Sequence, residues 1–335
     1  MSAILSIKKF SEIIGVSPTT VSRVLNGKTI QYRISEKTKE KVLEAAAKYN
    51  VKPNLIAKQL KLKKTNTIGL IVPDISNPFF ADLAYSIESE LKKHDKMVIL
   101  CNTDGDILVE KEVLQNLLAR QVDALIIAPI GIEYSHLSSI KDTPVILVDR
   151  HFPDSDIPFL CTDNYQGAMM ATEHLIKNGH QKIIAIQGIK GTSVNIQRKA
   201  GFMDAVKSHE IDSPIIQGND FTIKNGYDCF HSIINKGIKF SAIFSFSSQI
   251  TTGILKAAAE LSLAIPEDFS LISFDDLPYL EIVNPPISTI KQPVIEIGKK
   301  AGKYIIGSIH NEGLNFGFID PILIQRGSVK TLNKL

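Results

Sequence analysis

Five residues of one short segment have side chains suited to reading the hydrogen-bonding groups of another molecule. Thr19, Thr20, Ser22, Arg23 and Asn26 occupy one side of a stretch whose other side carries Val21, Val24 and Leu25 at i, i+3 and i+4. Ser17 stands where an N-cap oxygen is needed and Gly27 supplies a stop. Pro18 takes the first helical position, where a missing N–H costs nothing. The segment is therefore a short helix that packs through one face and offers donors from the other. Ahead of it, Ile7, Phe10, Ile13 and Ile14 predict a second short amphipathic helix ending at Gly15. Two such helices across a tight turn make a helix-turn-helix, whose second helix enters the major groove of DNA.

A second group of chemically capable residues follows a series of apolar runs. Thr67–Val72, Met97–Cys101, Ala124–Ala128, Val145–Val148, Ile183–Ile186, Ile215–Ile216, Ala242–Phe244 and Leu271–Phe274 read as strands. They are rich in Val, Ile and Leu with little alternation, as expected of parallel strands buried on both faces. Helical stretches intervene at Phe79–Lys93, Glu110–Arg120, Tyr165–Lys177, Gln197–His209, Lys224–Asn235 and Gln249–Leu261. Eight or more such units fit one barrel or two open sheets, and the pattern alone favours neither. Ligands of open parallel sheets sit beyond the carboxyl ends of the strands. That rule selects Asp74–Phe80, Asp149-Arg150, Gly188–Arg198, Ser245–Gln249 and Asp275-Asp276 as the candidate site.

Charge separates the two groups. Residues 1–64 hold 14 Lys+Arg against 4 Asp+Glu, a net of +10, which leaves 24 against 31, a net of −7, for the rest. A basic head on an acidic body points to a polyanion as the head's partner. Ser35 caps a third helix running to about Tyr49, and Lys52-Pro53-Asn54 breaks it. Asn54 then caps a very short helix, Leu55–Leu60, ahead of the basic hinge Lys61–Asn66. Cys101, Cys161 and Cys229 lie far apart in or beside apolar stretches and read as buried small hydrophobes of a reducing compartment. No signal-peptide pattern and no apolar run of about 18 residues is present, so a cytoplasmic, nucleoid-associated protein is expected. Gly-rich phosphate loops, H-E-x-x-H and a nucleophile elbow are all missing, and the histidines are scattered without ligand spacing. Neither an enzyme nor a cofactor or metal site is expected.

The chain resembles the lactose/galactose repressor (LacI/GalR) family of bacterial transcription regulators. The resemblance rests on Gly15-Val16-Ser17 with Thr20 to Asn26, Pro53-Asn54 with Ala57 and Leu60, Thr67-Ile68-Gly69-Leu70, and Asn77-Pro78-Phe79-Phe80. It continues through Asp163-Asn164 with Gly167, His174-Leu175 with Gly179-His180, Arg198 with Gly201-Phe202, Phe274-Asp275-Asp276 and Gln292-Pro293. It implies an α/β fold with a small all-α helix-turn-helix headpiece (1–53), a hinge (54–66) and a two-subdomain body of the periplasmic-binding-protein type with parallel sheets. The subdomains would comprise 67–162 with 292–322, and 163–291 with 323–335, the chain crossing near Asp163, Gln292 and Leu323. It further implies a homodimer on pseudo-palindromic operator DNA, controlled by a small effector, a sugar or sugar phosphate, held between the subdomains.

Residue by residue, the resemblance sends Arg23 to a base edge, where two parallel donors match guanine O6/N7. Thr19 is a second base-edge candidate, and Thr20, Ser22 and Asn26 suit phosphates. Ser17 and Pro18 open the recognition helix, Pro18 without a donor, so sequence choice falls also to the loop with Lys28, Tyr32 and Arg33. Asn54 opens the hinge helix and Leu60 is its minor-groove wedge. For the effector it points to Asn77, Phe79, Asp149, Arg198, Phe221, Ser247 and Asp275. Capping of the next helix is the structural alternative for the two acids. Val51 replaces a family tyrosine, Ser247-Ser248 a frequent Asn-Asp, and Thr192 an arginine of purine-binding members, which argues against a purine. The loop Asn26 to Arg33 resembles regulators of fructose and sucrose use. Two other readings stay open: a global regulator signalled by a phosphorylated carrier protein, and an exported sugar receptor, which the basic head opposes.

Overall fold

The computed structural model describes residues 5–51, 65–211, 214–310 and 316–332. The chain divides into two units, Met1–Lys64 and Thr65–Leu335. Asn54, Leu60 and the hinge up to Lys64 lie outside the described residues.

The first unit contains α1 (Ile7–Ile14), α2 (Pro18–Leu25) and α3 (Glu36–Lys48). A serine caps each: Ser6, Ser17 and Ser35 accept the N–H groups of Lys9, Thr20 and Thr38. Gly15 closes α1 in the left-handed region at φ 61°. Phe10, Ile14, Val21, Val24, Val42, Ala46 and Val51 form the core. Ile13, expected on the packed face, is instead 52% exposed. At 100° per residue the buried Phe10, Ile14 and Ser11 centre that face about 110° away from Ile13.

The second unit holds two six-stranded sheets. The first is ordered β11-β5-β4-β3-β1-β2, built from β1 (Thr67–Val72), β2 (Met97–Asn102), β3 (Ala124–Ile127), β4 (Val145–Val148), β5 (Phe159–Thr162) and β11 (Gly317–Ile319). The second is ordered β12-β10-β9-β8-β6-β7, from β6 (Ile183–Ile186), β7 (Ile215–Gln217), β8 (Ala242–Ser245), β9 (Ser270–Phe274), β10 (Ser288–Lys291) and β12 (Ile322–Ile324). All pairings are parallel except β10 with β12. The two open sheets decide against a barrel. The chain passes between them after β5, after β10 and between Ile319 and Ile322.

Helices cover both faces of the first sheet. Phe80, Leu83, Ile87 and Leu91 of α4 (Pro78–Lys92) pack with Ile297, Ala301 and Ile305 of α12 (Val294–His310). Leu114 and Leu117 of α5 (Ile107–Ala119) pack on the other side. The second sheet shares one core with α7 (Asn164–Lys177), α8 (Ser193–Ser208), α9 (Ile223–Asn235) and α10 (Ser248–Glu260). Short α6 (Ser135–Ser138) and α11 (Pro278–Ile282) complete the unit.

Several expectations need correction. Met97–Cys101 is a strand, but it lies at a sheet edge with Met97 62% exposed, so it is not buried on both faces. Cys101 and Cys229 are only half-buried, and Cys161 alone is buried. Helix α8 starts four residues before the expected Gln197, because the Thr192 hydroxyl caps it. The periodic reading also leaves out β5, β10 and α12. Strand β10 is invisible to it because its buried positions include Ser288 and Thr289, whose hydroxyls donate to the Arg326 carbonyl and to Asp276 in place of apolar contact.

Candidate functional sites

On the headpiece, Ser17, Pro18 and Thr19 are exposed at the start of α2, and Lys28, Tyr32 and Arg33 are exposed in the loop after it. The Arg23 guanidinium lies 3.8 Å over the Tyr32 ring, so the loop sets its orientation. The structure gives other candidates local duties. Thr20 Oγ1 shares a 2.8 Å hydrogen bond with Ser17 Oγ, and Asn26 Nδ2 donates to the Ser22 carbonyl at 2.7 Å, closing the helix. The donors of this face are thus held by the helix ends that the sequence marks.

In the body, one cavity of about 680 Å³ opens beyond the carboxyl ends of strands from both sheets. Asn77, Phe79, Asp149, Arg198, Phe221, Ser247 and Asp275 all line it. Asn77 and Ser247 do so as the N-caps of α4 and α10, accepting the N–H groups of Phe79 and Ile250. Phe79 belongs to the core as well as the wall. The Phe221 ring packs closely against the loop after β6, which requires Gly188: a Cβ there would fall 2.2 Å from the ring.

Arg198 is buried on the second turn of α8. Its Nε donates to Asn164 Oδ1 at 2.8 Å, one terminal nitrogen donates to the Phe246 carbonyl, and the guanidinium lies 3.6 Å over the Phe274 ring. Burial lowers its pKa to about 10 despite the nearby Asp275 and Asp149. Asp149 and Asp275 follow β4 and β9 with φ 66° and 74°, a left-handed turn that aspartate tolerates better than most residues. Burial raises the Asp149 pKa, with Asp275 adding to the rise and Arg150 and Arg198 opposing it. Asp275 accepts from the Ser248 N–H at 3.1 Å and its hydroxyl at 3.2 Å, and from Gln292 Nε2 at 2.6 Å. It therefore ties down the start of α10, the helix before β9, and not the next helix α11, whose N-cap position is Leu277 without a side-chain cap. The capping alternative does not hold for Asp275.

Two further wall residues lie outside the effector set that the resemblance implies: Arg150, which the post-strand rule does select, and Gln292, which it does not. Arg150 stands 3.3 Å from Asp149 Oδ2 through a buried Nε that has no hydrogen-bond partner among the described residues. Gln292 accepts from Thr162 Oγ1 at 2.6 Å while donating to Asp275, which ties the two sheets together. Both follow strands, so the rule that found Asp149 would have found Gln292 had β10 been legible.

A helix-turn-helix unit and a two-sheet unit with a polar cleft define a DNA-binding regulator with a small-molecule domain. The profile of bacterial regulatory proteins of the lacI family matches residues 11–54, and that of periplasmic binding proteins and the sugar binding domain of the LacI family matches residues 65–325. The chain belongs to the LacI family and is a DNA-binding transcription regulator. A ribose operon repressor of Halalkalibacterium halodurans is 33% identical over 300 residues, 90% of this chain and 89% of that protein. A LacI family transcriptional regulator from Enterococcus faecalis, solved with bound ribose, is 31% identical with a TM-score of 0.73, covering 80% of this chain and 100% of that one. The lac repressor dimer bound to operator shares the fold at a TM-score of 0.87 and 24% identity, covering 97% of this chain and 99% of that one. Among the described residues no helix is long and apolar enough to cross a membrane.

Proposed function

We propose that the protein is a homodimeric repressor of a carbohydrate-utilisation operon, acting in the cytoplasm on nucleoid DNA and released by an uncharged pentose or similarly small sugar in the cleft. The convergence of Asp149, Arg150 and Arg198 beside Phe79 carries this reading. Carboxylates and guanidiniums suit sugar hydroxyls, and an aromatic face suits the apolar side of a sugar ring. The wall contains five carboxylates, Asp74, Asp104, Asp149, Asp220 and Asp275, against the two guanidiniums of Arg150 and Arg198. An added phosphate would meet net repulsion, so the free sugar is preferred over the sugar phosphate. The ribose bound to the E. faecalis regulator makes D-ribose the first ligand to test.

A ligand touching both sheets favours one closure angle, and only that difference in affinity can alter DNA binding. Calorimetry should show D-ribose binding and ribose 5-phosphate failing to bind, with ribose lowering operator affinity. The reading fails when no small sugar binds and a phosphorylated carrier protein alone shifts operator affinity. On the DNA side, Arg23→Ala should weaken operator binding by about 1–3 kcal/mol and relax one base pair per half-site. Equal losses on operator and random duplex would make Arg23 a phosphate contact.

A further inference from the structure

The amino ends of β1, β2 and β3, opposite the cleft, meet at one buried carboxylate. Asp123 Oδ1 accepts the Thr65 N–H at 2.6 Å and the Thr65 hydroxyl at 3.0 Å, and Oδ2 accepts the Asn66 N–H at 3.0 Å. Lys96 Nζ donates to Oδ2 at 2.8 Å and to Asn66 Oδ1 at 3.1 Å. The Thr65 hydroxyl also lies 3.1 Å from the Gln121 carbonyl. The Lys96 and Asp123 side chains are only 8% and 5% exposed. Burial works against the charge of Asp123, yet the donors from Lys96 and Thr65 hold its pKa below the usual value.

A buried ion pair adds little net stability over an apolar pair of the same size, because desolvation consumes most of the attraction. What this one supplies is geometry. It fixes the first two residues of the body, Thr65 and Asn66, to three strands at once. The same strands carry Asp74, Asp104 and Ile130 of the cleft wall just beyond their other ends.

We propose that Asp123 and Lys96 form a positioning clamp, fixing the point where the chain enters the body so that operator affinity depends on it. Without the clamp, Thr65 and Asn66 lose their bonds to Asp123 and Lys96 and are held to the sheet less firmly, by ties such as the Met97 N–H to the Asn66 carbonyl. A rearrangement at the cleft is then weakened there before it reaches the DNA-binding residues. The proposal takes DNA binding from the family assignment and does not depend on which sugar fills the cleft.

The test uses the full chain with Asp123→Leu/Lys96→Met, which removes the acceptors and charges together, and with Thr65→Val, which leaves the ion pair in place. Thermal melting reports folding, binding to a random duplex reports an intact headpiece, and operator titration reports positioning. The double variant should melt near the wild-type temperature, bind random DNA as wild type does, and bind operator at least about tenfold more weakly. Thr65→Val should show a smaller loss in the same direction. Unchanged operator affinity in a folded double variant overturns the proposal, as does a parallel loss on operator and random DNA that follows the unfolded fraction. Should the double variant not fold, unchanged operator binding by Thr65→Val overturns it on its own.

Discussion

Asp149 and Asp275 occupy equivalent places in the two halves of the body. β4 and β9 are each third in their sheet orders, and each ends in a buried aspartate with a left-handed backbone. Their surroundings differ. Asp275 is engaged through both oxygens by Ser248 and Gln292, one of which opens α10 and the other of which reaches β5 through Thr162. Asp149 has the Arg150 Nε at 3.3 Å, outside hydrogen-bonding geometry. One backbone device has thus produced a structural tie in one half and a carboxylate open to the cleft in the other. Arg198 belongs with Asp275 in this respect, since it holds Asn164 and the Phe246 carbonyl whatever else it binds. Arg198→Ala is therefore expected to lower stability as well as abolish the effector response, and Asp149 is the cleaner site at which to separate the two.

The comparison breaks most visibly on alanine substitution. Asp275→Ala strands the Ser248 N–H and the Gln292 amide in a buried site, with an expected cost of about 2–4 kcal/mol in urea unfolding. Asp149→Ala should stay within about 1 kcal/mol of wild type. Equal costs would show that Asp149 is a structural tie too. Ligand binding sharpens the contrast: Asp149→Asn should reduce D-ribose affinity about 10–100-fold in calorimetry with little change in melting temperature.

The acids should also respond to pH with opposite signs. For the neighbouring Asp276, burial raises the pKa, but hydrogen bonds from Arg326 and Thr289 and the charges of Arg326 and Lys291 outweigh it and leave the pKa lowered. Its contribution is present above the unfolded value of about 3.8 and disappears as pH falls through the lower folded value. Asp276→Asn should flatten that acid loss in unfolding measured between pH 5 and 2, numbers that bracket the usual aspartate range. Asp149, with a raised pKa, instead favours the folded state as pH falls, so Asp149→Asn should leave the loss below about pH 3.8 in place. The smallest effect is expected at the cleft rim, where Gly188→Ala displaces the Phe221 ring and should change D-ribose affinity severalfold in the same calorimetry.

The amino-acid sequence alone determined the helices of the headpiece, since serine caps, Pro18 and Gly15 act within a turn of their own position. It determined the hydrophobic strands β1, β3, β6, β8 and β9 as well, because strands buried on both faces are predominantly apolar. Asp149, Arg198 and Asp275 were legible as post-strand or early-helix polar residues. Their division of labour was not, because it depends on partners 17 to 130 residues apart, such as Gln292 with Asp275 and with Thr162. Only the tertiary structure decided between one barrel and two sheets, since apolar runs do not encode strand order. Tertiary structure also made strands of Ser288–Lys291 and Phe159–Thr162, where hydrogen bonds and neighbouring strands override a weak local pattern. The same reason hid Asp123 and Lys96: a lone acid and a lone lysine in sequence are ordinary surface residues, and become a clamp only when three strands begin side by side.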